Sequence, residues 1–313
     1  MEEGALTTIV VFGGSGFLGR RLVQCLVSQG TTVHIAVRHP EQARNILRQV
    51  GLERTRVFHA DVRDQASVNA VVAGADAVVI AVSAYVETGN ATFHAVHVQG
   101  AQTVAREAAA ASVARLVLVS GLGANPQSSS PYIRARGRGE LLVQQLFQGA
   151  TIVRPGAMFG TGDALFSKFA ALSRVLPVLP LIGGGQTRLQ PVYVEDVAEA
   201  IRRMLNLPET AGRIYELAGP QVYTLDELLK MTLQLTGRWR LLVPMPFAFA
   251  EVQARLFELL PSPPLTISQV DLLKADNVVS GKMLGFRELN IEPKSVERIL
   301  PTYVGRMETP GPD

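Results

Sequence analysis

The stretch of sequence that decides the fold reads Phe12-Gly13-Gly14-Ser15-Gly16-Phe17-Leu18-Gly19. It has the spacing G-x-x-G-x-x-G, follows an apolar run typical of a buried strand, and opens a segment of helical length. Gly13 permits a tight turn, Gly16 lets the backbone approach a pyrophosphate, and Gly19 lets the helix pack closely on the strand. The free N–H groups of the helix N-terminus then face the phosphates. The whole stretch therefore predicts a dinucleotide-binding βα unit.

Strands and helices alternate through the first half of the chain. Apolar runs predict buried parallel strands at residues 7–12, 32–37, 56–59, 77–82, 115–119 and 151–153. Segments of helical length lie between them, at residues 16–28, 41–50, 67–73, 91–111 and 132–148. This alternation predicts an α/β fold with a doubly wound parallel Rossmann sheet, whose ligands bind at the carboxyl ends of the strands.

The pattern changes after Pro155. The Pro/Gly-rich residues 175–185 are interpreted as a loop. Helices are predicted at 194–205, 225–235, 247–260 and 268–273, with a strand at 213–217. We predict a dinucleotide-binding Rossmann domain over residues 1–160, to which residues 191–218 return, and a smaller, mostly helical C-terminal lobe over residues 161–313.

The end of the second strand indicates which dinucleotide is bound. NAD-binding chains usually end this strand with an acid that binds the ribose 2′-hydroxyl. Here the strand is followed by Arg38-His39-Pro40, without a carboxylate. The planar cationic fork of Arg38 suits a 2′-phosphate, and Arg20 can assist it. The sequence therefore favours NADP(H) over NAD(H).

Later strand ends add expected cofactor contacts. Asp61 and Val62 follow the third strand, where the adenine would lie. Ala81, Val82 and Ser83 follow the fourth strand, beside the middle of the cofactor. Together with the glycine stretch and the two arginines, they form the predicted cofactor site.

These residues resemble the short-chain dehydrogenase/reductase superfamily, in its extended and atypical branches, with a likeness to NAD-dependent epimerases and dehydratases. A narrower resemblance spans almost the whole chain. It is to the nucleotide-binding accessory subunits of respiratory complex I (alpha subcomplex subunit 9) and their bacterial relatives. The segments that carry it are Ser120–Ala124, Tyr132–Arg136 with Gly139-Glu140, Arg154-Pro155, Phe159–Asp163, Gly183–Arg188, Gln190–Ala198, Tyr215–Pro220 and Asp276-Asn277-Val278.

The narrower resemblance implies a tightly held NADPH with a structural role and no established turnover. It also implies a peripheral position near the quinone-binding region. The partner would be complex I, or another membrane-bound respiratory or quinone-related assembly, contacted through the C-terminal lobe.

The wider resemblance implies a set of catalytic residues, and this chain differs from the superfamily at one of them. Tyr132 takes the place of the acid/base, and both it and Pro155 would contact the cofactor. The position four residues after the tyrosine, where the superfamily has Lys, is Arg136. Its charge can lower a phenol pKa, but it does not deprotonate, and its fork fills the ribose site differently. Tyr132, Arg136 and Ser120 are the candidate catalytic residues.

Two further positions also differ from the residues that the superfamily has there. The superfamily places its catalytic hydroxyl two residues beyond Ser120, which is Leu122 here. His97 falls where the superfamily has an Asn of the proton relay, and either a relay role or a packed histidine fits it. We predict a non-catalytic or weakly catalytic protein. The alternatives are an NADPH-dependent reductase or epimerase/dehydratase on a small or lipid-like substrate, with Tyr132 as acid/base, and a sensor of the NADP+/NADPH ratio.

The predicted helix 247–260 has a wide apolar arc. The arc contains Phe247, Val252, Leu256, Phe257, Leu259 and Leu260. One interpretation is a core helix of the second lobe. The other is a surface that docks on a partner subunit or on a membrane. The charged side of the helix (Glu251, Arg255, Glu258) is not rich in Lys or Arg, whereas amphipathic helices that lie in the membrane interface usually are.

Carboxylates near the predicted site have simpler roles. Glu140 lies four residues after Arg136, at the spacing of a helical ion pair. Glu195 and Asp196 open a predicted helix, where acids favour the helix dipole. Cys25 stands among Leu and Val residues and is interpreted as a small buried hydrophobe.

Composition excludes several classes of function. The 313 residues include 30 basic and 27 acidic side chains, a net charge of +3 without a Lys/Arg block, so nucleic-acid binding is not expected. One cysteine and the absence of a His/Cys/Asp cluster argue against a metal site. Apolar runs are too short to span a bilayer, and the first residues resemble neither a signal nor a transit peptide. We expect a bacterial cytoplasmic protein, with the inner face of the plasma membrane as a peripheral location.

Overall fold

A computed structural model describes residues 6–47, 54–260 and 263–304. Its strands, within those residues, are β1 (Thr8–Phe12), β2 (Thr32–Val37), β3 (Thr55–His59), β4 (Ala77–Ile80), β5 (Arg115–Val119), β6 (Thr151–Pro155), β7 (Met158–Phe159), β8 (Val178–Ile182), β9 (Arg188–Leu189), β10 (Val192–Tyr193), β11 (Ile214–Leu217), β12 (Tyr223–Thr224) and β13 (Leu241–Met245). Its α-helices are α1 (Phe17–Ser28), α2 (Pro40–Leu47), α3 (Gln65–Val72), α4 (Ala101–Ala110), α5 (Pro131–Leu146), α6 (Phe166–Val175), α7 (Val194–Asn206), α8 (Leu225–Leu235), α9 (Phe247–Phe257), α10 (Ile267–Leu273) and α11 (Val296–Tyr303). A π-helical segment, His94–Gly100, runs directly into α4.

The described residues form a seven-stranded sheet in the order β11-β6-β5-β4-β1-β2-β3, and its pairings are parallel. The strand order reverses between β1 and β4, where Phe12 lies between Ala36 on one side and Ile80 on the other. Ligands of doubly wound sheets bind at this point, outside the carboxyl ends of the strands. The predicted α/β doubly wound parallel sheet is confirmed.

Buried apolar side chains on both faces explain why the strands read as continuous apolar runs. Val10, Val78 and Ile152 are fully buried, and α3, α4 and α5 contribute to the same cluster. Helix α3 begins where the Asp64 side chain accepts a hydrogen bond from the Ala66 backbone N–H at 3.1 Å. Packing thus holds the helices that cover the site strands, and a side-chain cap adds to it in α3.

The chain divides into two compact units. The first contains the described residues up to Pro155, Glu195–Leu217 and Lys282–Ile291. The second contains Gly156–Val194, Ala218–Gly281 and the described residues from Glu292. This division differs from the predicted boundaries chiefly in residues 282–291, because the sequence predicts them in the C-terminal lobe and the structure places them in the first unit. Glu216 explains the difference, because its backbone N–H donates to the Leu284 carbonyl at 2.8 Å beside β11.

The second unit has its own core and three short two-stranded sheets in the described residues. Strand β7 pairs with β10, β9 with β12, and β8 with β13. Phe159, Phe166 and Leu300 are fully buried in its core. The interpretation of residues 175–185 as a loop was wrong in part, because β8 pairs with β13 along five residues, a pairing between distant segments that no local pattern reveals.

Several predicted helix bounds shift. The predicted helix 91–111 is a π-helical segment followed by α4, and the predicted helix 247–260 ends at Phe257. Helix α2 is described as far as Leu47, so the last three residues of its predicted range lie outside the described residues. Among the helices of the described residues, none is both long and apolar enough to cross a membrane.

Candidate functional site

The glycine turn is held tightly between three strands. Gly13 has a φ of +81°, and a Cβ there would lie 2.8 Å from the carbonyl oxygen of Ala81. The Gly13 N–H donates to the Ala36 carbonyl at 3.1 Å, and the Gly16 N–H donates to the Gly13 carbonyl at 2.9 Å. A side chain at Gly13 is thus excluded by both backbone conformation and space. The turn forms a compact cradle at the switch point of the sheet.

Helix α1 begins against this turn. A Cβ on Gly19 would lie 2.1 Å from the Gly13 carbonyl oxygen, so only glycine allows this approach. Gly14 and Leu18 are buried, and a Cβ on Gly14 would meet Ile35 at 2.9 Å. Gly16 is exposed at the helix N-cap. Buried residues of the stretch therefore pack the helix against the turn, while Gly16 at the N-terminus of the helix remains exposed.

Ser15 and Phe17, beside these glycines, are half-buried. Arg20, one turn along α1, lies with its guanidinium 5.9 Å from the Phe17 ring centroid. Burial lowers the pKa of Arg20, and the nearby Arg21 charge lowers it further. The buried Nε of Arg20 has no hydrogen-bond partner among the described residues. A nitrogen in that position is available to an anion.

Arg38 lies at the end of β2 with an exposed side chain. Asp61 follows β3 and pairs with Arg63, whose Nη2 lies 2.5 Å from Oδ2. Hydrogen bonds from Arg63 lower the pKa of Asp61 despite its burial, and the charge of Arg38 adds a smaller effect. The neighbouring Val62 is buried against Gly100, where a Cβ would come within 2.6 Å of it. Arg38 and Asp61 thus lie near one another at the strand ends.

The end of β4 approaches both the glycine turn and α5. Ala81 donates its N–H to the Phe12 carbonyl at 2.9 Å, and Val82 is half-buried. Ser83 is an exposed residue, and its hydroxyl accepts a hydrogen bond from Arg136 Nη2 at 2.8 Å. The predicted β4 contacts therefore lie between the turn and the candidate catalytic residues.

Tyr132 and Arg136 form a buried pair on the first turns of α5. Arg136 Nε donates a hydrogen bond to Tyr132 Oη at 2.7 Å. Tyr132 is 4% exposed and Arg136 is 8% exposed. Burial raises the pKa of Tyr132, and the Arg136 charge offsets this only in part. A phenol with a raised pKa keeps its proton at neutral pH and is a poor general base.

Aromatic rings enclose Tyr132, and sequence reasoning missed two of them. Tyr85 stacks on it with centroids 5.3 Å apart, while Phe93 and His97 each contact it edge-on at 5.5 Å. Phe93 and His97 are four residues apart, which is a helical spacing that could have predicted a shared face. Tyr85 lies in an irregular segment after β4, so its place against Tyr132 has no local signal.

His97 is a packed histidine rather than an exposed relay. It is 8% exposed, and its Nε2 lies 3.1 Å from the Ala84 carbonyl oxygen. Burial lowers the pKa of His97 to about 3, and the Arg136 charge contributes to this shift. Helix α5 packs closely here, because a Cβ on Gly139 would lie 2.0 Å from the His97 carbonyl oxygen. The π-helical segment around His97 carries this close contact.

Ser120 lies at the end of β5 with a buried side chain. Its hydroxyl has no hydrogen-bond partner among the described residues, and the same is true of Arg136 Nη1. A Cβ on Gly121 would lie 3.6 Å from that same Nη1, which places the free nitrogen beside the Ser120 segment. Leu122 is buried, and its N–H donates to the Pro155 carbonyl at the end of β6 at 3.1 Å. Two unpaired polar groups thus lie near one another at the carboxyl edge of the sheet.

Glu140 does not form the predicted ion pair with Arg136. Its carboxylate accepts from Arg154 on β6, with Nη2 and Oε2 2.6 Å apart, and Arg154 also lies 3.9 Å from Glu216. Glu140 is 3% exposed, so the pair is internal rather than a surface pair. In the tertiary structure, Glu140 therefore pairs with the Arg154 guanidinium and not with that of Arg136, its neighbour at i, i+4 spacing on the helix.

The other residues singled out in the sequence, Glu195, Asp196 and Cys25, lie in positions that a structural role explains. Glu195 and Asp196 lie in the first turn of α7, as predicted. Cys25 is half-buried rather than fully buried, with its Sγ 3.7 Å from Glu199 Oε2. Burial raises the pKa of Cys25 to about 11, with the Glu199 charge adding to it, so the thiol is a poor nucleophile at neutral pH. No His, Cys, Asp or Glu side chains in the described residues cluster as a metal site would require.

The strand order, the cradle and the unpaired groups fit a dinucleotide. The family model for the NAD dependent epimerase/dehydratase family matches residues 9–218, which include the glycine turn, Tyr132 and Arg136. The chain belongs to this family. It is 36% identical to NADH dehydrogenase [ubiquinone] 1 alpha subcomplex subunit 9, mitochondrial, of Arabidopsis thaliana, over 92% of this chain and 74% of that protein.

A bacterial relative and a solved structure add to this similarity. The chain is 29% identical to the ceramide reductase of Caulobacter vibrioides, over 79% of this chain and 76% of that protein. The crystal structure of DesIV, a dTDP-glucose 4,6-dehydratase from Streptomyces venezuelae with NAD and TYD bound, aligns with a TM-score of 0.74. That alignment has 22% identity and covers 95% of this chain and 96% of DesIV, so it supports the nucleotide-binding epimerase/dehydratase fold.

Proposed function

We propose that this protein binds NADP(H) as a structural cofactor and has little or no turnover, in the manner of an accessory subunit of complex I. The observation that carries the proposal is the hydrogen bond from Arg136 Nε to Tyr132 Oη at 2.7 Å, between two buried side chains. A superfamily enzyme needs Lys at this position. Here Arg136, which is permanently charged, donates a hydrogen bond to the phenol oxygen, while burial raises the pKa of the phenol.

The residues that would hold the cofactor are those at the switch point. The Gly13 turn and the N-terminus of α1 suit a pyrophosphate, because backbone N–H groups and the helix dipole favour an anion. Arg20 and Arg38 suit a 2′-phosphate, which supports NADP(H) over NAD(H). The unpaired Ser120 hydroxyl and Arg136 Nη1 suit ribose hydroxyls. When bound, NADPH would supply a hydride, and the fixed pair Tyr132–Arg136 would not readily move the matching proton.

Association with complex I is proposed from similarity to the plant subunit, which covers most of both chains. A bound dinucleotide would stabilise the folded subunit by mass action, with no reaction required. In a bacterium, such a subunit would lie in the cytoplasm on the inner face of the plasma membrane. The C-terminal lobe is the part we propose to contact the assembly.

Cofactor retention tests the binding function directly. The purified protein should carry NADPH in about equal molar amount, and this NADPH should survive dialysis and resist oxidation by added carbonyl compounds or quinones. Acid extraction followed by chromatography measures both nucleotides. A tagged chain isolated from the native membrane fraction should bring complex I subunits with it. Rapid oxidation of bound NADPH would contradict the non-catalytic proposal, and isolation without those subunits would contradict the complex I proposal.

A reductase is the second candidate, favoured by similarity to a protein named ceramide reductase. In this case Tyr132 would donate a proton to a carbonyl oxygen, with Arg136 stabilising the phenolate that forms. The discriminating variant is Tyr132→Phe. Loss of a measured NADPH oxidation, with cofactor binding unchanged, would support the reductase, and no difference in rate between the two proteins would reject it.

A further inference from the structure

Helix α9 exposes several of its large apolar side chains. Ala250 and Ala254 are fully buried, and the half-buried Phe247 packs against the same cluster. Phe249 is 70% exposed and Leu256 is 62% exposed, and Val252 between them is also exposed. The interpretation of this segment as an ordinary core helix is therefore wrong for most of its apolar arc. A helix in this arrangement packs an alanine face on its own unit and leaves an apolar face without a partner in the described residues.

Other segments of the same unit, in and beside β8 and β13, also expose large apolar side chains. Trp239 is 84% exposed, directly before β13. Leu241 of β13 is exposed opposite Val178 of β8, which is exposed as well. We call the following exposed side chains of the second unit the apolar surface: Leu172, Val175, Leu176, Val178, Trp239, Leu241, Val243, Phe249, Val252, Leu256, Leu259 and Leu260.

Specific contacts join the parts of this surface that are distant in sequence. Arg240 Nε donates to the Ser173 carbonyl at 2.8 Å, which ties the segment before β13 to the end of α6. The Leu241 N–H donates to the Pro177 carbonyl at 3.3 Å at the start of the β8–β13 pairing. Helix α9 then follows β13 after one residue, Pro246. The fold thus collects apolar side chains that the sequence distributes over two separate segments.

The charges on these segments are mainly positive. Residues 166–182 and 238–260 contain five cationic and two acidic side chains. Both acidic side chains have partners in their own unit, since Glu251 lies 2.8 Å from Lys274 Nζ and Glu258 accepts from the Ile267 N–H at 2.9 Å. Arg174 and Arg255 are exposed. Helix α9 itself has one cationic side chain, Arg255, and the other segments of the apolar surface add the exposed Arg174 of α6 and the half-buried Arg240, whose Nε donates to the Ser173 carbonyl.

We propose that the apolar surface docks on the face of an anionic lipid bilayer. Trp239 and the exposed side chains of α9 would enter the headgroup region, and the exposed Arg174 and Arg255 would contact lipid phosphates. An exposed Trp beside Leu, Phe and Arg is the composition of an interfacial membrane surface. Positive charge adds attraction to anionic lipids and gives the contact its charge complementarity. This inference adds a lipid contact to the proposed function and stands without it, because vesicle binding requires neither complex I nor bound NADPH.

Sedimentation with vesicles tests the proposal with the purified full-length protein. The probes are vesicles of phosphatidylcholine alone and of phosphatidylcholine mixed equally with phosphatidylglycerol. We expect binding to the mixed vesicles, and a several-fold weakening in high salt because screening reduces the attraction. The variant Trp239→Ser/Phe249→Ser should lower the partition coefficient by roughly tenfold or more, because it removes two inserted aromatic rings.

Matched controls separate docking from folding. Ile46→Ser and Val222→Ser change exposed apolar side chains outside the apolar surface, and they should leave vesicle binding unchanged. Arg174→Glu/Arg255→Glu should weaken binding to the mixed vesicles, and Arg106→Glu, which changes an exposed arginine of α4, should not. Circular dichroism and melting temperature verify that each variant is folded.

Three results would overturn the proposal. The first is equal sedimentation of the wild type with and without vesicles. The second is a wild-type dimer that Trp239→Ser/Phe249→Ser makes monomeric, without any vesicle binding, which would identify an interface between copies. The third is co-isolation of complex I subunits that this variant abolishes, again without vesicle binding, which would identify a protein partner. NADPH retention is measured on the same samples, so failure of the lipid contact is distinguished from failure of the cofactor-binding proposal.

Discussion

Arg136 Nε donates a hydrogen bond to Tyr132 Oη across 2.7 Å inside the first unit, with Arg136 Nη2 bonded to Ser83 at the end of β4. One side chain thus joins the candidate acid/base to the strand end beside the glycine turn. Arg136 makes the two bonds through different nitrogens of one rigid fork, whereas a lysine would have to reach both oxygens from a single nitrogen. The arrangement favours a fixed phenol over a mobile proton donor.

Removing the phenol oxygen tests how much this pair stabilises the fold. Tyr132→Phe should lower the free energy of unfolding by about 1–3 kcal/mol, because a buried guanidinium loses its acceptor. Chemical denaturation measures the change. Ser83→Ala should cost less, because the Ser83 residue is exposed and water can replace its hydroxyl. A smaller loss for Tyr132→Phe than for Ser83→Ala would contradict the assignment.

Charge at position 38 should set the cofactor preference. Arg38→Asp should weaken NADPH binding by about tenfold or more relative to NADH, because it removes a cationic fork and places a carboxylate near the 2′-phosphate. Calorimetric titration of the cofactor-free protein with each dinucleotide measures the ratio. Arg106→Asp is the matched control on α4. An unchanged ratio in Arg38→Asp would refute the role of Arg38.

The packing of α1 on the glycine turn predicts an intolerant position. Gly19→Ala should abolish dinucleotide binding and lower the melting temperature, because the new Cβ would lie 2.1 Å from the Gly13 carbonyl oxygen. Gly149→Ala provides the control, since its Cβ would make an ordinary 3.7 Å contact with Phe147. Normal dinucleotide binding by Gly19→Ala would mean that α1 can move away from the turn.

His97 should make stability depend on pH in a defined direction. Its pKa is about 3 in the folded protein against an ordinary value of 6.5, so the unfolded chain takes up a proton that the folded chain does not. Its contribution is fully present above pH 6.5 and is lost as pH falls, by at most about 1.4 kcal/mol per pH unit.

Denaturant unfolding between pH 7 and pH 5 measures this slope. His97→Gln should flatten it, while His39→Gln, which changes an exposed histidine, should leave it as in the wild type. His34 also has a pKa lowered by burial, so part of the slope should remain in His97→Gln. An identical slope in all three proteins would show that His97 gains its proton without unfolding.

The internal ion pair between Glu140 and Arg154 should contribute strongly to the free energy of unfolding. Glu140→Gln should cost about 3 kcal/mol of unfolding free energy, because Arg154 keeps its charge in a mostly buried position and its remaining acidic partner in the described residues, Glu216, is more distant. Asp226→Asn breaks an exposed pair with Lys230 and should cost about 0.5 kcal/mol or less. Equal costs would contradict the internal character of the Glu140–Arg154 pair.

The sequence predicted those features that depend on local periodicity and spacing. The parallel sheet follows from apolar runs between helices, since strands covered on both faces must be continuously apolar. The glycine turn follows from three glycines in a strand–turn–helix context. The strand pairing of residues 178–182 with 241–245 and the partner of Glu140 were missed, because both join segments that are distant in the chain.

By itself, then, the sequence determined the class of fold, the glycine cradle and the replacement of lysine by Arg136. Only the tertiary structure decided that Arg136 is fixed between Tyr132 and Ser83, and that α9 buries Ala250 and Ala254 and exposes several of its larger apolar residues. The physical reason is that helical spacing shows which side chains share a face. It does not show which face the rest of the chain covers, because that depends on contacts between segments far apart in sequence.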